Sequence, residues 1–288
     1  MLTSIKSNLR RYPKTKKVYE SLRWKKHICS DWLHTYIFKK TTQHDTPFGF
    51  KMISRNYIAN RSMMDGTFET DEIELIQKNL LNADVFVDVG ANIGFYTCLA
   101  RSLGKYVVAI EPQSQNLNCL YANLKNNNWQ DTEVFRLGLS NKPDLLTLYG
   151  ASGPSASLVS GWAGYSKRFK RIIPVNTLDT LLGDRFSGKK LFIKIDVEGA
   201  EYNVIRGALK TLSLSSRPTW FIEICLSEFH PGEMNPNYEA TFNLFWQHGY
   251  EVRIANKEVT LVTPNDIRSC VANKCSIINN FNYIFIPK

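Results

Sequence analysis

The stretch from Val85 to Thr97 constrains the fold of this chain more than any other part. Residues 85–89 are apolar apart from Asp88, a composition typical of a strand that is buried on both faces of a parallel sheet. The run ends at Gly90, and apolar residues then recur at helical spacing over 93–103. We therefore predict strand, tight turn and helix, with glycines that let a ligand approach the backbone and helix N–H groups that point outward.

A second unit follows with the same pattern. Residues 106–110 form another apolar strand that ends at Glu111, and Pro112 is suited to the first turn of the next helix. Glu111 follows Gly90 by 21 residues. At about 20 residues after such a glycine turn, nucleotide-binding α/β folds carry the carboxylate that accepts hydrogen bonds from ribose hydroxyls. The two units together predict a nucleoside-containing ligand.

The order of residues in the turn argues against a dinucleotide. The turn reads Gly90-Ala91-Asn92-Ile93-Gly94-Phe95, whereas the fingerprint G-x-G-x-x-G needs glycines where Asn92 and Phe95 stand. NAD and FAD are therefore not the expected ligands.

The turn is also one of three motifs that carry a family resemblance. Together with Lys-Ile-Asp-Val-Glu-Gly-Ala-Glu at 194–201 and Trp-Phe-Ile-Glu-Ile at 220–224, it resembles the FkbM-type family of S-adenosylmethionine-dependent methyltransferases. The resemblance covers roughly residues 66 to 288. It implies an α/β fold with a Rossmann-like class I methyltransferase sheet, mostly parallel with an antiparallel edge strand, and S-adenosyl-L-methionine as the cofactor. The residues that it assigns to the cofactor are Asp88, Gly90, Asn92, Gly94 and Glu111.

Two further positions are candidates for cofactor contact. In the resembled family a Gly-x-aromatic-Glu stretch precedes the first core strand and lies near the cofactor, which here points to Glu69; plain helix capping is the alternative. A third strand is predicted over Glu133–Ser140, and its end should approach the adenine, where Gly138 would permit backbone contact. A simple turn glycine is the alternative for Gly138.

The run from Leu191 to Gly199 carries the candidate catalytic residues. Strand alternation would put Lys194, Asp196 and Glu198 on one side, and such groups are costly to bury without partners. In the strand order that the resemblance implies, this strand lies between those that bear Asp88 and Glu223. Lys194 is then flanked by carboxylates, which should keep it charged.

We expect Asp196 to be the base or the acceptor of the substrate hydroxyl, with Glu223 and His230 as further candidates and Lys194 as the charge that sets their ionisation. A purely structural row of ion pairs is the alternative. Asp196 and Glu198 offer too few oxygen donors to predict a metal. The resemblance implies O-methylation of a saccharide or other glycan-type hydroxyl, as in polysaccharide biosynthesis. A non-catalytic cofactor-fold scaffold, whose basic arm binds anionic partners, is the alternative function.

Three predictions concern the elements around these motifs. The small and polar residues 150–157 should form a mobile loop that faces the substrate. Leu145–Tyr149 is predicted as an added strand, and Ala200–Leu212 as one helix. A second, smaller cluster of basic and aromatic residues lies after the loop, at Trp162, Tyr165, Lys167, Arg168, Lys170 and Arg171.

Positive charge is concentrated at the N-terminus. Of the formal net charge of +10, residues 1–40 carry +9, from 11 Lys and Arg against Glu20 and Asp31. Aromatic residues interleave with these cations, a mixture suited to an anionic membrane surface; a solvated basic face of added helices that dock on the domain is the alternative. No motif supports a nucleic-acid partner. We therefore divide the chain into a basic N-terminal helical extension, 1–45, and a methyltransferase domain, 46–288.

The remaining composition predicts an intracellular chain. The six cysteines form no C-x-x-C pair and are expected to be reduced thiols. No apolar run approaches membrane-spanning length, and residues 1–30 lack the apolar core of a signal peptide. The expected location is the cytoplasm, with peripheral contact to the inner membrane surface if the basic segment binds lipid.

Overall fold

A computed structural model describes residues 42–54, 62–67, 69–150, 156–164, 169–276 and 281–288. The predictions for the basic segment 1–40 and for most of the loop at 150–157 lie outside these ranges. The strands are β1 (Thr42–Asp45), β2 (Lys51–Ser54), β3 (Val85–Val89), β4 (Tyr106–Ile110), β5 (Glu133–Phe135), β6 (Gly138–Leu139), β7 (Asp144–Tyr149), β8 (Lys170–Asn176), β9 (Leu191–Ile195), β10 (Thr219–Glu223), β11 (Tyr250–Ile254), β12 (Leu261–Val262) and β13 (Asn282–Pro287). The helices are α1 (Thr70–Asn82), α2 (Phe95–Ser102), α3 (Ser114–Asn126), α4 (Leu178–Leu182), α5 (Glu201–Arg206), α6 (Leu209–Leu212), α7 (Tyr238–Gln247) and α8 (Pro264–Asn273).

A central sheet of eight strands has the order β12-β11-β13-β10-β9-β3-β4-β5. Strands β5, β4, β3, β9 and β10 run parallel, and β13 is antiparallel to both β10 and β11. The mostly parallel sheet with antiparallel pairing near one edge is thus confirmed. The predicted position of β9, between β3 and β10, is also correct.

The apolar runs explain why β3 and β9 are central. All five residues of each strand are buried, because helices cover both faces of the sheet. The hydrophobic core on one face includes Trp220, Phe245 and Tyr250. The core on the other face includes Phe86 and Leu99. The charged residues in these strands are therefore inside the protein, and they need partners there.

The prediction of one strand over Glu133–Ser140 is wrong. Its first part, β5, ends the central sheet, whereas β6 joins a separate three-stranded sheet in the order β6-β8-β7. An ideal Cβ at Gly138 would lie 3.1 Å from Ile173 and 3.2 Å from Val175, so close packing on β8 favours a glycine where the chain changes sheets. The predicted strand Leu145–Tyr149 exists as β7, in this smaller sheet.

The prediction of one helix over Ala200–Leu212 is also wrong. The helix ends at Arg206 and a second short helix, α6, begins at Leu209. An ideal Cβ at Gly207 would lie 2.2 Å from the carbonyl oxygen of Ser140. The two backbones therefore touch where the helix is interrupted, a contact that the local sequence does not reveal.

Helix α8 has clear start signals that our sequence analysis passed over. Thr263 caps the helix through its side chain and Pro264 occupies the first turn. Oδ2 of Asp266 accepts from the backbone N–H of Thr263 at 2.8 Å. In the part of the chain that is described, no helix is long and apolar enough to cross a membrane.

Candidate active site

The carboxyl ends of β3 and β4 meet at one edge of the central sheet. The N–H groups of Gly90 and Ala91 donate to the carbonyl oxygen of Ile110 at 2.9 and 3.1 Å. The N–H of Asn92 donates to Oε2 of Glu111 at 2.8 Å. The glycine turn and the acidic tip, which the sequence placed on separate strands, therefore form one continuous surface.

The N–H groups of the turn itself are bound within the protein, whereas the outward N–H groups that we predict belong to the start of α2, the helix that follows. Besides the three bonds above, the N–H of Gly94 donates to the carbonyl of Ala91 at 2.8 Å. Gly90 and Gly94 have φ values of +85° and +89°. An ideal Cβ would lie 1.9 Å from the Asp196 carbonyl oxygen at Gly90, and 2.3 Å from Leu120 at Gly94. These glycines therefore permit tight packing of the turn on the β9 end and on α3.

Glu111 is buried, at 4% exposure, and is held from several sides. Its Oε1 accepts from the N–H of Gln113 at 2.8 Å and from Nδ2 of Asn116 at 3.3 Å. Burial nevertheless raises the pKa of Glu111 to about 7, because the lost hydration outweighs these hydrogen bonds. Since a carboxylate oxygen can accept more than one bond, Oε2 retains capacity beside its bond from Asn92.

Asp88 lies beneath this turn, within the sheet. Its Oδ2 accepts from the hydroxyl of Thr97 at 2.6 Å, and it is the register partner of Lys194 across β3 and β9. Oδ1 is buried without a hydrogen-bond partner among the described residues. Burial raises the pKa of Asp88, while Lys194 opposes that shift.

Lys194 is the centre of a buried cluster of charges. Its Nζ lies 3.0 Å from Oδ2 of Asp196 and 4.8 Å from the centroid of the Tyr96 ring. Burial alone would lower the pKa of Lys194, but the carboxylates of Asp196, Asp88 and Glu69 raise it above its usual value. Lys194 is therefore charged, and Asp88 is one of the flanking carboxylates, as the sequence predicted.

Glu69 belongs to the same cluster. It precedes α1 in the left-handed conformation, with φ 39°, and its side chain makes no capping bond, so the capping alternative is wrong. Instead its Oε2 accepts from the hydroxyl of Tyr96 at 2.6 Å. Burial raises the pKa of Glu69. Tyr96 was missed by our sequence analysis because it lay at helical spacing with core residues; its position two residues after the glycine turn was the available signal.

The segment after β9 does not continue the strand. It leaves the sheet after Ile195, and Glu198 has a φ of +57°, so the predicted alternation fails at Glu198. Oε2 of Glu198 accepts from Nε1 of Trp162 at 2.5 Å, and the Trp162 ring packs directly on Gly199. Burial and the charge of Asp196 raise the pKa of Glu198 to about 8.

Glu223 and His230 lie at the end of β10 and in the loop that follows. Burial, and then Asp196, raises the pKa of Glu223 well above its usual value. The His230 ring meets Trp162 edge to face, with centroids 6.1 Å apart, and burial lowers the pKa of His230. The loops after β9 and β10 thus converge on Trp162, which joins His230 to Glu198.

Gly138 is placed differently from the other candidates. It lies in β6 and packs against the small core of the three-stranded sheet. Packing alone accounts for a glycine there, and a contact with adenine stays a prediction. Among the described residues, no group of three or more His, Cys, Asp or Glu side chains is arranged to hold a metal ion.

The strand order and this edge of the sheet define the class of protein. A parallel sheet with an antiparallel strand between β10 and β11, a glycine turn after β3 and an acidic tip after β4 characterise a Rossmann-like class I methyltransferase. A sequence profile described as the Methyltransferase FkbM domain matches residues 88–252, more than half of the chain. The chain belongs to the FkbM methyltransferase family, and its cofactor is S-adenosylmethionine.

Several solved structures are similar to this chain at low identity. An O-methyltransferase from Bacillus cereus in complex with SAH shares 12% identity over 79% of this chain and 84% of its own, with a TM-score of 0.42. A SAM-dependent methyltransferase from Agrobacterium tumefaciens shares 8% identity over 86% of this chain and 70% of its own, with a TM-score of 0.43. Monomeric WbdD shares 13% over 88% of this chain but 48% of its own length, with a TM-score of 0.44. Comparison with curated proteins gives no significant match.

The residues at this edge fit S-adenosylmethionine. That molecule carries an ammonium, a sulfonium and ribose hydroxyls that donate hydrogen bonds. Glu69, Asp196 and Glu111 bring carboxylates to the same edge of the sheet, and the unpartnered Oδ1 of Asp88 lies below them. Carboxylates suit both the positive groups and the hydroxyls of this cofactor.

Proposed function

We propose that this protein transfers the methyl group of S-adenosylmethionine to a hydroxyl of a saccharide or glycan-type acceptor, with Asp196 as the base. The supporting observation is the position of Asp196. Its N–H donates to the carbonyl of Val89 at 3.0 Å, and its own carbonyl oxygen packs on Gly90. A third of its side chain, 33%, is exposed, so an accessible carboxylate adjoins the glycine turn.

The cofactor supplies an electrophilic methyl group on a positively charged sulfur. We assign Asn92 and Glu111 to contacts with its ribose. Gly90 and Gly94 give the turn the shape that it needs. Asp88 and Glu69 are assigned to the positively charged groups of the cofactor. Gly138 remains a candidate for the adenine. What the chain itself must do is position the acceptor hydroxyl in line with the methyl group and remove its proton.

The charges of the cluster favour Asp196 as the base over its acidic neighbours. Asp196 combines solvent access with the Lys194 ammonium 3.0 Å away, whereas Glu198 and Glu223 are acids whose burial raises their pKa. The raised pKa values of Glu198 and Glu223 favour their protonated forms near neutral pH. Buried acids with raised pKa values suit hydrogen-bond donation, which leaves the exposed carboxylate of Asp196 as the candidate proton acceptor. Glu223 is then a donor to an acceptor oxygen, and His230, with its lowered pKa, is a neutral ring beside it.

The same charges favour a neutral polyol as the acceptor. Lys194 is already paired with Asp196, and Glu69, Glu198 and Glu223 surround the pair. An acceptor that carries phosphate or carboxylate would meet these acids without a free cation from Lys194. Sugar hydroxyls, in contrast, donate to carboxylates and accept from protonated ones.

Two measurements test this proposal. Calorimetry with S-adenosylhomocysteine should detect binding, and a methyl-transfer screen against cell-envelope saccharides should identify an acceptor whose methylation is lost in Asp196→Asn while cofactor binding is kept. Absence of binding at high micromolar ligand would favour the scaffold alternative. Methylation of a nitrogen acceptor instead would contradict the O-methyl assignment.

We also propose the division into an extension, 1–45, and a methyltransferase domain, 46–288. Strand β2 supports a domain that includes the residues after 45, because the backbone of β2 is bound by the rest of the domain. Asn123 of α3 and Asn127, which directly follows that helix, accept from the N–H groups of Ile53 and Lys51 at 2.6 and 2.8 Å. A chain that begins at residue 46 should therefore bind S-adenosylhomocysteine as the full chain does. The same truncation tests whether residues 1–40 bind anionic vesicles.

A further inference from the structure

The outer face of the three-stranded sheet is an apolar surface. The register pairs Leu145 with Pro174 and Thr147 with Ile172. These residues alternate with Leu148, Ile173 and Val175, which form the small core on the inner face. Large aliphatic side chains on neighbouring strands therefore point outward together.

The exposure of these side chains is high. Leu145 is 68% exposed, Ile172 is 72% exposed, and Pro174, the register partner of Leu145, is exposed as well. We call Leu145, Ile172 and Pro174 the apolar row. Single exposed apolar residues are common, but several that adjoin on one sheet face indicate an interaction surface.

Cations lie at both ends of the apolar row. Lys142, whose side chain is 71% exposed, precedes β7, and Lys170 and Arg171 begin β8 at the opposite end. Asp144 is the acid in this pair of strands, and it lies 3.7 Å from Lys142. Lys142, Lys170 and Arg171 against Asp144 give a net positive charge around the aliphatic centre, most of it at the Lys170 end.

We propose that the apolar row docks on an anionic lipid bilayer. Aliphatic side chains that enter the boundary of the acyl chains, with lysines and arginines that remain among the headgroup phosphates, are the arrangement that binds such a surface. The charge at the flanks favours lipid over a second copy of this chain, which would bring the same cations to the contact. The residues of this surface are separate in sequence from the basic segment 1–40.

The test compares full-length variants in sedimentation with vesicles. The double variant Leu145→Ser/Ile172→Ser should partition at least about tenfold more weakly onto phosphatidylcholine vesicles that contain phosphatidylglycerol, because each side chain loses its transfer into the lipid boundary. The matched control is Leu81→Ser/Leu209→Ser, which removes exposed leucines from α1 and α6, and it should bind as the wild type does. S-adenosylhomocysteine binding should be unchanged in both, which shows that they are folded.

A second pair of measurements separates charge from apolar contact. Lys142→Gln/Lys170→Gln should weaken binding to the anionic vesicles and leave binding to phosphatidylcholine alone unaffected. The proposal is overturned if the Leu145/Ile172 variant sediments like the wild type. It is equally overturned if that variant instead converts a dimer to a monomer in analytical ultracentrifugation without any change in vesicle binding, since the row is then a contact between protein chains.

Discussion

The backbone N–H of Asn92 donates a 2.8 Å hydrogen bond to Oε2 of Glu111, and this bond joins the turn after β3 to the tip of β4. The carboxylate is thereby fixed at the edge of the sheet, although it is almost completely removed from solvent. Its ionisation is consequently coupled to whatever binds beside Asn92.

Cofactor affinity should depend on pH through Glu111. The pKa of Glu111 is about 7 without ligand. If ribose hydroxyls donate to the carboxylate, binding favours the ionised form, lowers this pKa and releases protons. Affinity for S-adenosylhomocysteine should then fall below pH 7, by up to about tenfold per pH unit. Calorimetry in buffers of different ionisation enthalpy measures both the affinity and the released protons.

Glu111→Gln is the control for that experiment. It keeps the shape of the side chain but cannot titrate, so the pH dependence of affinity should disappear and binding should be weaker at pH 8. A pH dependence that survives in Glu111→Gln would assign the titration to another buried acid of the site.

Asp196 and Glu223 should differ sharply when each is converted to its amide. Asp196→Asn removes the proposed base and should lower kcat by about 10²- to 10⁴-fold. The glutamine in Glu223→Gln resembles the protonated carboxyl group that burial favours. This variant should therefore have nearly the wild-type kcat at pH 7. Steady-state kinetics on the acceptor, with cofactor affinity measured separately, checks both variants. Similar losses in the two would argue against Asp196 as the sole base.

Replacement of Lys194 should destabilise the fold severely. Lys194→Met leaves Asp88, Asp196 and Glu69 without their counterion, and loss of one partner in such a buried set costs about 3–5 kcal/mol of unfolding free energy. The loss should shrink as pH falls, because Asp88 and Glu69, whose pKa values burial raises, become protonated. Urea unfolding at pH 5 and pH 8 measures this, and an equal loss at both pH values would contradict it.

Tyr96→Phe should isolate one hydrogen bond of the cluster. The ring under Lys194 is kept, whereas Glu69 loses the hydroxyl donor at 2.6 Å. Because hydrogen bonds to charged groups contribute about 1.5–3 kcal/mol, urea unfolding at pH 8 should show a loss of about 2 kcal/mol. Tyr96→Leu, which removes the ring as well, should lose more; equal losses would mean that the ring under the ammonium contributes nothing.

Gly207→Ala should lower the free energy of unfolding, although alanine favours helices more than glycine does. Its Cβ would lie 2.2 Å from the Ser140 carbonyl oxygen, so the two backbones must separate, at a cost of about 2 kcal/mol. Gly232→Ala is the matched control, since its Cβ would meet its nearest neighbour, His230, at an ordinary 3.4 Å. Chemical denaturation of both variants provides the comparison.

The central sheet could be predicted from the sequence because short stretches of the chain suffice to identify its main strands. The apolar runs at β3, β4 and β9 and the turn at Gly90 each lie within a few residues. The family motifs then supplied the strand order, which no run reveals by itself.

What escaped prediction depends on contacts between distant parts of the chain. The chain passes to the smaller sheet at Gly138, which packs on Ile173. Helix α5 ends where Gly207 contacts the backbone of Ser140. The sequence around each residue is compatible with a continuous element. The bond from Trp162 to Glu198 likewise joins separate loops, so that neither residue alone indicates the pairing.

The register of Asp88 with Lys194 also bears on how the protein is made. Asp88 leaves the ribosome with the first half of the chain, and its counterion follows only when β9 has been synthesised. Until then β3 would hold Asp88 inside the sheet with the Thr97 hydroxyl as its partner but without a counterion. Docking of β9 beside β3 therefore pairs the open edge of β3 and neutralises its interior in the same event, which makes the nascent first half a poor candidate for independent folding.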